Sequence, residues 1–395
     1  MKGLYKWIEI DIDAIKHNLS QVRANLDDRV RLIAVLKAEA YGHGARDVAR
    51  LLYQQGVEFF AVTFLYEALQ LRKAGIRSSI LLFSPLVDEE QLREAIDNHL
   101  TITIASLRDL SLLQGLSETA GSSINVHIKI ETGLGRFGLN EQEALEVCRE
   151  LNQMKGIYLE GIYTHMADAA GDSGYTSQQF ERFVKIIEAL AAEGYHIPVH
   201  HCANSAVFLK YPNMHLDAVR IGTLLSGQHP VGSFPNKLSL KDPYKFKSRI
   251  ISLRSMAKGS WLGYYRTYRL KKNAQIGVIP VGFNDGLALE VANPPAGFID
   301  LLKGLARQVL VYFDRPRFRL NVTIRGRDYP LRGKVFMQMA LVEIPPDVVV
   351  NVGDEVELPV RKTLAAKNIT RLYIKEGTAG KTASPESTTY VIEEV

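Results

Sequence analysis

Eight short apolar runs alternate with helix-length segments across one continuous half of the chain. The runs cover residues 32–36, 59–63, 80–83, 101–105, 125–130, 159–164, 199–202 and 218–221. Segments 45–55, 89–98, 141–154 and 177–193 lie between runs and carry charge on one side of a helical period. Parallel strands covered on both faces read as unbroken apolar runs, and eight of them separated by helices is the cadence of a (β/α)8 barrel. A doubly wound open sheet is the alternative, and the count of eight argues against it.

Upstream of the cadence, residues 7–12 alternate like a strand, and Asp13 caps a helix expected to run to Leu26. Downstream the text changes. Residues 229–247 read HPVGSFPNKLSLKDPYKFK, with three prolines and no clear period, which marks a domain boundary. Beyond it strand-like runs are expected at residues 249–254, 264–270, 275–281, 309–313, 318–324, 336–344 and 355–360, a mostly antiparallel β domain. Residues 293–298 read as an exposed loop, and 376–389, rich in Gly, Ser and Thr, as a loosely held tail. The expected division is an N-terminal strand over residues 1–12 that joins the second domain, a barrel over 13–238 and a β domain over 239–395.

A chain of 395 residues exceeds one ordinary core, in keeping with two domains. Cys148 and Cys202 are the only cysteines, too few for a disulfide framework or a thiolate metal site. No apolar run approaches the roughly 18 residues of a spanning helix, so no membrane role and a cytoplasmic location are expected. The net charge is +5, and residues 241–272 carry ten Lys or Arg against Asp242 alone. Such a patch suits solvated strand faces that draw in small anions, and no nucleic-acid partner is expected.

In a barrel of this kind chemistry gathers where the strands end. Lys37, Thr63, Ser84, Ser106, Arg136, His165, Ser205 and Arg220 all fall at such ends, and they form the first draft of a site. Lys37 closes the first run. Burial disfavours an ammonium, and the neutral amine that remains is a nucleophile able to form a Schiff base. The segment GLGRFG, residues 133–138, has the spacing of a dinucleotide fingerprint. That fingerprint belongs to the first βα turn of its domain, whereas this one follows the fifth run and contains Arg136, a natural fork for a carboxylate. It reads as a substrate-positioning loop.

Asn204 and Ser205 follow the seventh run, and Gly222 and Thr223 the eighth, where barrels commonly hold a phosphate. Together with Lys37 they describe a site for a phosphorylated aldehyde cofactor, with Arg220 beside its ring. At this point AVLKAEAYGHG resembles the pyridoxal-phosphate attachment motif of alanine racemases, a family with an N-terminal barrel and a C-terminal β domain. HIKIETGLGRFG, YTHMADA, HCANSA and VRIGTLLSG are similar to later barrel motifs of that family in the same order, and GYYRTY, PVGFNDG and RGKVFMQ to segments of its second domain.

The resemblance implies an amino-acid racemase that uses pyridoxal 5'-phosphate and interconverts L- and D-alanine with two bases. Lys37 would carry the cofactor and act as one base, and Tyr264 would be the other. Tyr41, Asn204, Ser205, Gly222 and Thr223 would hold the phosphate, Arg220 would face the ring nitrogen, and His165 would support Arg220. Arg136 and Met337 would bind the substrate carboxylate, and Lys129 matches a lysine that is often carbamylated. No metal is implied. In the family the tyrosine base comes from a partner subunit, which implies a homodimer. The sequence departs from the pattern at Phe283, in place of tyrosine, at Lys334, in place of arginine, and at Gln338, in place of aspartate. The C-terminal tyrosine that touches the phosphate is absent from its usual motif, and Tyr373 or Tyr390 is the candidate to replace it. Racemisation of a different amino acid through a remodelled entrance, and cofactor binding without turnover in a regulatory protein, are the competing expectations. A related decarboxylase would need a C-terminal-domain cysteine, and a metal-assisted lyase a C-terminal His and Cys pair, and both are missing.

Overall fold

The computed structural model describes residues 3–117, 123–234, 238–292, 294–295, 297–375 and 382–383. The chain forms two compact units, Ile12–Pro243 and Met1–Asp11 together with Tyr244–Val395. Strand β1 (Lys6–Asp11) therefore belongs to the second unit.

The unit Ile12–Pro243 carries the eight-strand cadence as β2 (Arg31–Val35), β3 (Phe59–Val62), β4 (Ser79–Leu82), β5 (Ile102–Ile104), β6 (Ile124–Lys129), β7 (Ile157–Tyr163), β8 (Val199–His201) and β9 (Ala218–Ile221). All pairings are parallel, in the orders β4-β3-β2-β9 and β5-β6-β7-β8. Bridges Leu81–Thr101 and Ala203–Val219 join the two arcs at both seams, so the sheet closes into a barrel. Ile33, Val35, Phe59, Ala61, Leu81, Val199 and Ala218 pack as one buried cluster among these strands.

Outside, the helices bury one stripe each. Ala45–Gln54 turns Val48, Ala49, Leu51 and Leu52 inward. Helix Glu141–Gln153 begins with a reciprocal cap. Asn140 Oδ1 accepts from Glu143 N–H at 3.0 Å, and the Glu143 carboxylate accepts from Asn140 N–H at 2.8 Å.

The second unit is built on a sheet of ten strands. Besides β1 these are β10 (Tyr244–Arg249), β11 (Ser252–Met256), β14 (Ala274–Ile279), β15 (Asn321–Ile324), β16 (Arg327–Arg332), β17 (Ala340–Ile344), β18 (Glu355–Leu358), β19 (Arg371–Ile374) and β20 (Thr382–Ala383), with β12 (Trp261–Leu262) and β13 (Tyr268–Arg269) as a separate ribbon. The order is β11-β14-β17-β16-β15-β18-β10-β1-β19-β20. Pairing is antiparallel except between β1 and β19. Trp7, Ile8 and Ile10 of β1 are fully buried, and the Glu9 carboxylate takes Lys247 at 2.8 Å and Trp7 Nε1–H at 3.0 Å.

Several expected strands of this unit are corrected. Residues 309–313, VLVYF, lie in a helix spanning Phe298–Tyr312. A short apolar run cannot tell strand from helix by itself, and here Phe298, Leu301, Leu302, Leu305, Val309 and Tyr312 share one helical face with Lys303 and Arg307 opposite. The expected loop over 293–298 ends where that helix starts, and its residues 293 and 296 lie outside the described residues. Residues 264–270 are no single strand. Tyr264–Arg266 form a 3-10 turn between β12 and β13, with Tyr265 and Arg266 at φ 59° and 51°. The expected strand over 249–254 is two strands that meet at Ile250 and Ile251, and that over 336–344 begins only at Ala340. Strands β12, β16, β19 and β20, and all of β10 but Arg249, escaped the sequence reading, and residues 244–247 of the expected aperiodic boundary belong to β10. The tail over 376–389 lies outside the described residues except for β20.

Candidate active site

Lys37 follows β2 after the single residue Leu36, and the backbone beyond it is unusual. Ala38, Glu39, Ala40 and Tyr41 all adopt left-handed dihedrals, with φ between 50° and 58°. Such a turn costs L-residues roughly 1–2 kcal/mol each. Glu67 holds it in place. Its buried carboxylate accepts from Ala38 N–H at 2.7 Å, and from Thr63 and Phe64 N–H at 2.9 and 3.0 Å. The far end of the turn is tied by Ala45 N–H to the Glu39 carboxylate at 3.1 Å.

Burial lowers the Lys37 amine below the ordinary lysine range. Arg136 and Arg220 push it the same way, and Glu67 opposes them. These four groups are therefore electrostatic neighbours. The Tyr41 phenol, raised to about 12 by burial, reaches Gly222, where any Cβ would strike the phenol ring and hydroxyl. Gly222 N–H points to Ser205 Oγ at 3.4 Å, and Thr223 Oγ1 is buried with no hydrogen-bond partner among the described residues. Asn204 is engaged elsewhere. Its Oδ1 caps the helix Ser205–Lys210 by accepting from Ala206 and Val207 N–H at 3.0 and 3.1 Å. A bare glycine, two hydroxyls and an orphan buried donor beside a reactive amine fit an anionic group attached to a carbonyl compound.

Arg220 is the penultimate residue of β9, and only 3% of it is exposed. Its Nη1 donates to His201 Nδ1 and His201 O at 2.8 and 3.0 Å. Its Nη2 donates to Thr164 O at 2.7 Å, Cys202 O at 3.1 Å and His165 Nδ1 at 3.3 Å. Burial lowers the guanidinium to about 10, still well above neutrality, and holds His165 and His201 well below the usual histidine range with Arg220 as the next cause. Both imidazoles are thus acceptors toward a permanent cation.

The GLGRFG loop is organised by Glu131. Its carboxylate accepts from Gly133 and Leu134 N–H at 2.6 Å and from Arg136 N–H at 3.3 Å. The loop amides that would cradle a dinucleotide are already occupied. Arg136 is left exposed, its guanidinium 4.9 Å from the Phe137 ring. Lys129 is buried, donates to Phe137 O at 2.7 Å, and is lowered to about 8 by burial, against the pull of Glu131 and with Arg136 and Arg220 adding to the shift.

The unit Ile12–Pro243 thus gathers Lys37, Tyr41, Lys129, Arg136, His165, Asn204, Ser205, Arg220, Gly222 and Thr223. Tyr264 and Met337 lie in the other unit. Tyr264 is 67% exposed, follows Gly263 at φ 75° and meets Phe336 edge-on at 5.1 Å. Met337 is exposed, and its carbonyl accepts from Asn284 N–H at 3.0 Å.

Known proteins resemble the chain in both units. Residues 10–230 match the model of the alanine racemase N-terminal domain, and residues 244–379 that of the alanine racemase C-terminal domain. The chain belongs to the alanine racemase family. It is 34% identical over 361 residues to alanine racemase 1 of Oceanobacillus iheyensis, covering 88% of this chain and 89% of that one. Alanine racemase of Methanococcus maripaludis is 32% identical over 353 residues, with 89% and 87% covered. Among solved structures, alanine racemase of Clostridium difficile 630 in complex with cycloserine superposes with a TM-score of 0.84 at 26% identity, over 97% of this chain and 99% of that chain. Alanine racemase from Bacillus anthracis with bound L-Ala-P gives 0.81 at 25%, over 96% and 97%.

Within this alanine racemase frame, Phe283 and Gln338 are exposed, and Lys334 Nζ sits 4.5 Å from the Tyr265 ring centroid. Tyr373 lies in β19, and Tyr390 is outside the described residues. Glu67, Glu131 and His201 are site residues that motif reading missed. Each acts by holding another group, and only Glu131, two residues before the glycine loop, left a local signal.

Proposed function

We propose that this protein is a pyridoxal 5'-phosphate-dependent alanine racemase whose two bases are Lys37 and Tyr264. It is an amino-acid racemase by its family, and the observation that carries the finer reading is the Lys37 amine, whose charged form burial and two arginines disfavour, in a unit that also presents a bare glycine and the hydroxyls of Ser205 and Thr223. Tyr41, Ser205, Gly222 and Thr223 hold the phosphate, with Asn204 presenting the helix that carries Ser205. Arg220 faces the ring nitrogen and His165 supports it.

The bound cofactor withdraws electrons from the substrate Cα and so acidifies its proton. Lys37 Nζ takes or returns that proton on one face of Cα, and Tyr264 Oη does so on the other, because inversion needs a base on each side. Arg220 donates hydrogen bonds and keeps its own proton, since its guanidinium stays charged throughout the working range. Arg136 and the Met337 backbone orient the substrate carboxylate. Lys129, with a free amine accessible near pH 8, is a candidate for carbamylation. Tyr264 comes from the partner of a homodimer, the barrel unit binds the cofactor, and the enzyme works in the cytoplasm. Among the described residues no helix is long and apolar enough to cross a membrane.

The test is solvent-deuterium exchange at Cα over a panel of L- and D-amino acids with the cofactor-loaded protein. Exchange with inversion of alanine is expected. Inversion confined to another amino acid replaces the substrate, and the absence of exchange across the panel refutes the racemase reading in favour of a regulatory binder.

A further inference from the structure

A line of hydrogen bonds leaves Arg220 and runs through the barrel interior. Arg220 Nη1 lies 2.8 Å from His201 Nδ1, His201 Nε2 lies 2.9 Å from His127 Nδ1, and His127 Nε2 lies 3.2 Å from Glu160 Oε2. Thr101 Oγ1 donates to the same carboxylate oxygen at 3.3 Å. His127 and His201 are fully buried. Glu160 lines a cavity of about 630 Å³ together with Arg31, Phe59 and Ser79, the residues that open β2, β3 and β4. The chain of bonds thus ends at the mouth of the barrel opposite Lys37.

Its direction is fixed from both ends. A guanidinium has only donors, so His201 Nδ1 accepts, and the proton of the neutral ring sits on Nε2. That proton is donated to His127 Nδ1, which places the His127 proton on Nε2, aimed at Glu160. A carboxylate only accepts, so Glu160 demands the same order independently. The rings are kept neutral. Burial lowers His127 despite the pull of Glu160, and burial with Arg220 lowers His201 further.

The surroundings are shaped for this path. The Tyr163 ring stacks on His201 at 4.9 Å and 14°, and Phe59 meets His127 edge-on at 5.9 Å. The register between β6 and β7 shifts between Val126 and His127, as at a bulge that re-aims a side chain. Gly161 on β7 leaves the room the imidazole uses, because a Cβ there would strike the His127 ring.

We propose that Glu160 and His127 are positioning residues whose hydrogen bonds hold His201 in its Nε2–H form, so that His201 Nδ1 always offers Arg220 an acceptor. Arg220 imposes that order only while its guanidinium stays on His201. Glu160 imposes it from the far end, and the order survives when Arg220 shares its N–H groups with a bound ring. The proposal rests on the reading that Arg220 serves the cofactor ring.

Histidine-selective 15N NMR of the cofactor-loaded full chain reads the tautomers directly. Both His127 and His201 are expected as Nε2–H, and an Nδ1–H form of either in the unaltered protein overturns the proposal without any variant. Glu160→Gln keeps an oxygen acceptor, and should preserve both tautomers and most of kcat. Glu160→Leu leaves His127 Nε2–H without an acceptor. It should bring Nδ1–H signal into His127 and lower kcat about tenfold or more, with KM moved less than about threefold. Unchanged tautomers and kcat in Glu160→Leu overturn the proposal. The absorbance of the bound cofactor separates the two readings. Tautomers that respond to Glu160→Leu while the spectrum stays fixed support the chain of bonds and refute the placement of Arg220 at the ring.

Discussion

Replacing Glu67 by glutamine alters one buried oxygen and leaves the shape of the side chain intact. In the native site Oε2 serves Thr63 and Phe64 N–H, and Oε1 serves Ala38 N–H at 2.7 Å. A glutamine oxygen can keep the pair from residues 63 and 64, which leaves its NH2 facing the Ala38 donor. One charge-assisted bond is lost and two donors confront each other, a cost of about 2 kcal/mol. The lost bond anchors four left-handed residues whose combined strain is roughly 4–8 kcal/mol, so the turn itself should loosen. For a unit of this size, about 2 kcal/mol lowers the melting temperature by about 4–8 °C. Thermal unfolding of the cofactor-free protein measures it.

Glu67 also raises the Lys37 amine, so its neutralisation should move the pH midpoint for capture of added pyridoxal phosphate downward. A melting temperature within about 1 °C of the parent would refute the anchoring argument. An upward midpoint would refute the electrostatic one.

Lys37→Ala should abolish the visible absorbance of the lysine-bound cofactor, and an unchanged spectrum sinks the cofactor assignment. Tyr264→Phe should slow Cα proton exchange mainly for the L-antipode, and equal slowing of both undoes the two-base scheme. Gly222→Ala forces a methyl onto Tyr41 and should weaken pyridoxal-phosphate binding about tenfold or more, read by equilibrium titration; unaltered affinity would remove Gly222 from the phosphate cradle. Lys129 binds a proton in the unfolded chain up to about pH 10 and in the folded one only to about 8, so its contribution to stability rises with pH across that window. The stability of the parent relative to Lys129→Met should therefore rise by about 2 kcal/mol from pH 8 to 10 in denaturant titrations, and a relative stability that does not change contradicts the buried-amine assignment.

Some of this was legible because burial writes itself into local composition. Parallel barrel strands such as Phe59–Val62 are apolar on both faces, so the cadence is plain in the text, and polar residues that end such runs stand out. The left-handed turn is different. Ala-Glu-Ala-Tyr is a sequence of ordinary right-handed helix character, and the constraint comes from Glu67 on a later element, which no window around Lys37 contains. His201 was hidden for the same reason: its importance is a hydrogen bond to Arg220. In the second unit the sequence misled at residues 309–313, where β-branched and aromatic residues satisfy both periods and only length decides.

Strand β1 lies between β10 and β19, with Ile8 facing Phe246 on one side and Arg371 on the other. Synthesis delivers this strand before any of its partners, and the barrel strands emerge in between. Closure of the second unit is therefore a long-range event, and an apolar strand containing Trp7, Ile8 and Ile10 waits for it while the intervening unit can already assemble. A change within residues 6–11 is for this reason an operation on the middle of a sheet. Removing residues 6–11 would leave β10 and β19 as two facing open edges, ready to recruit β1 from an intact molecule.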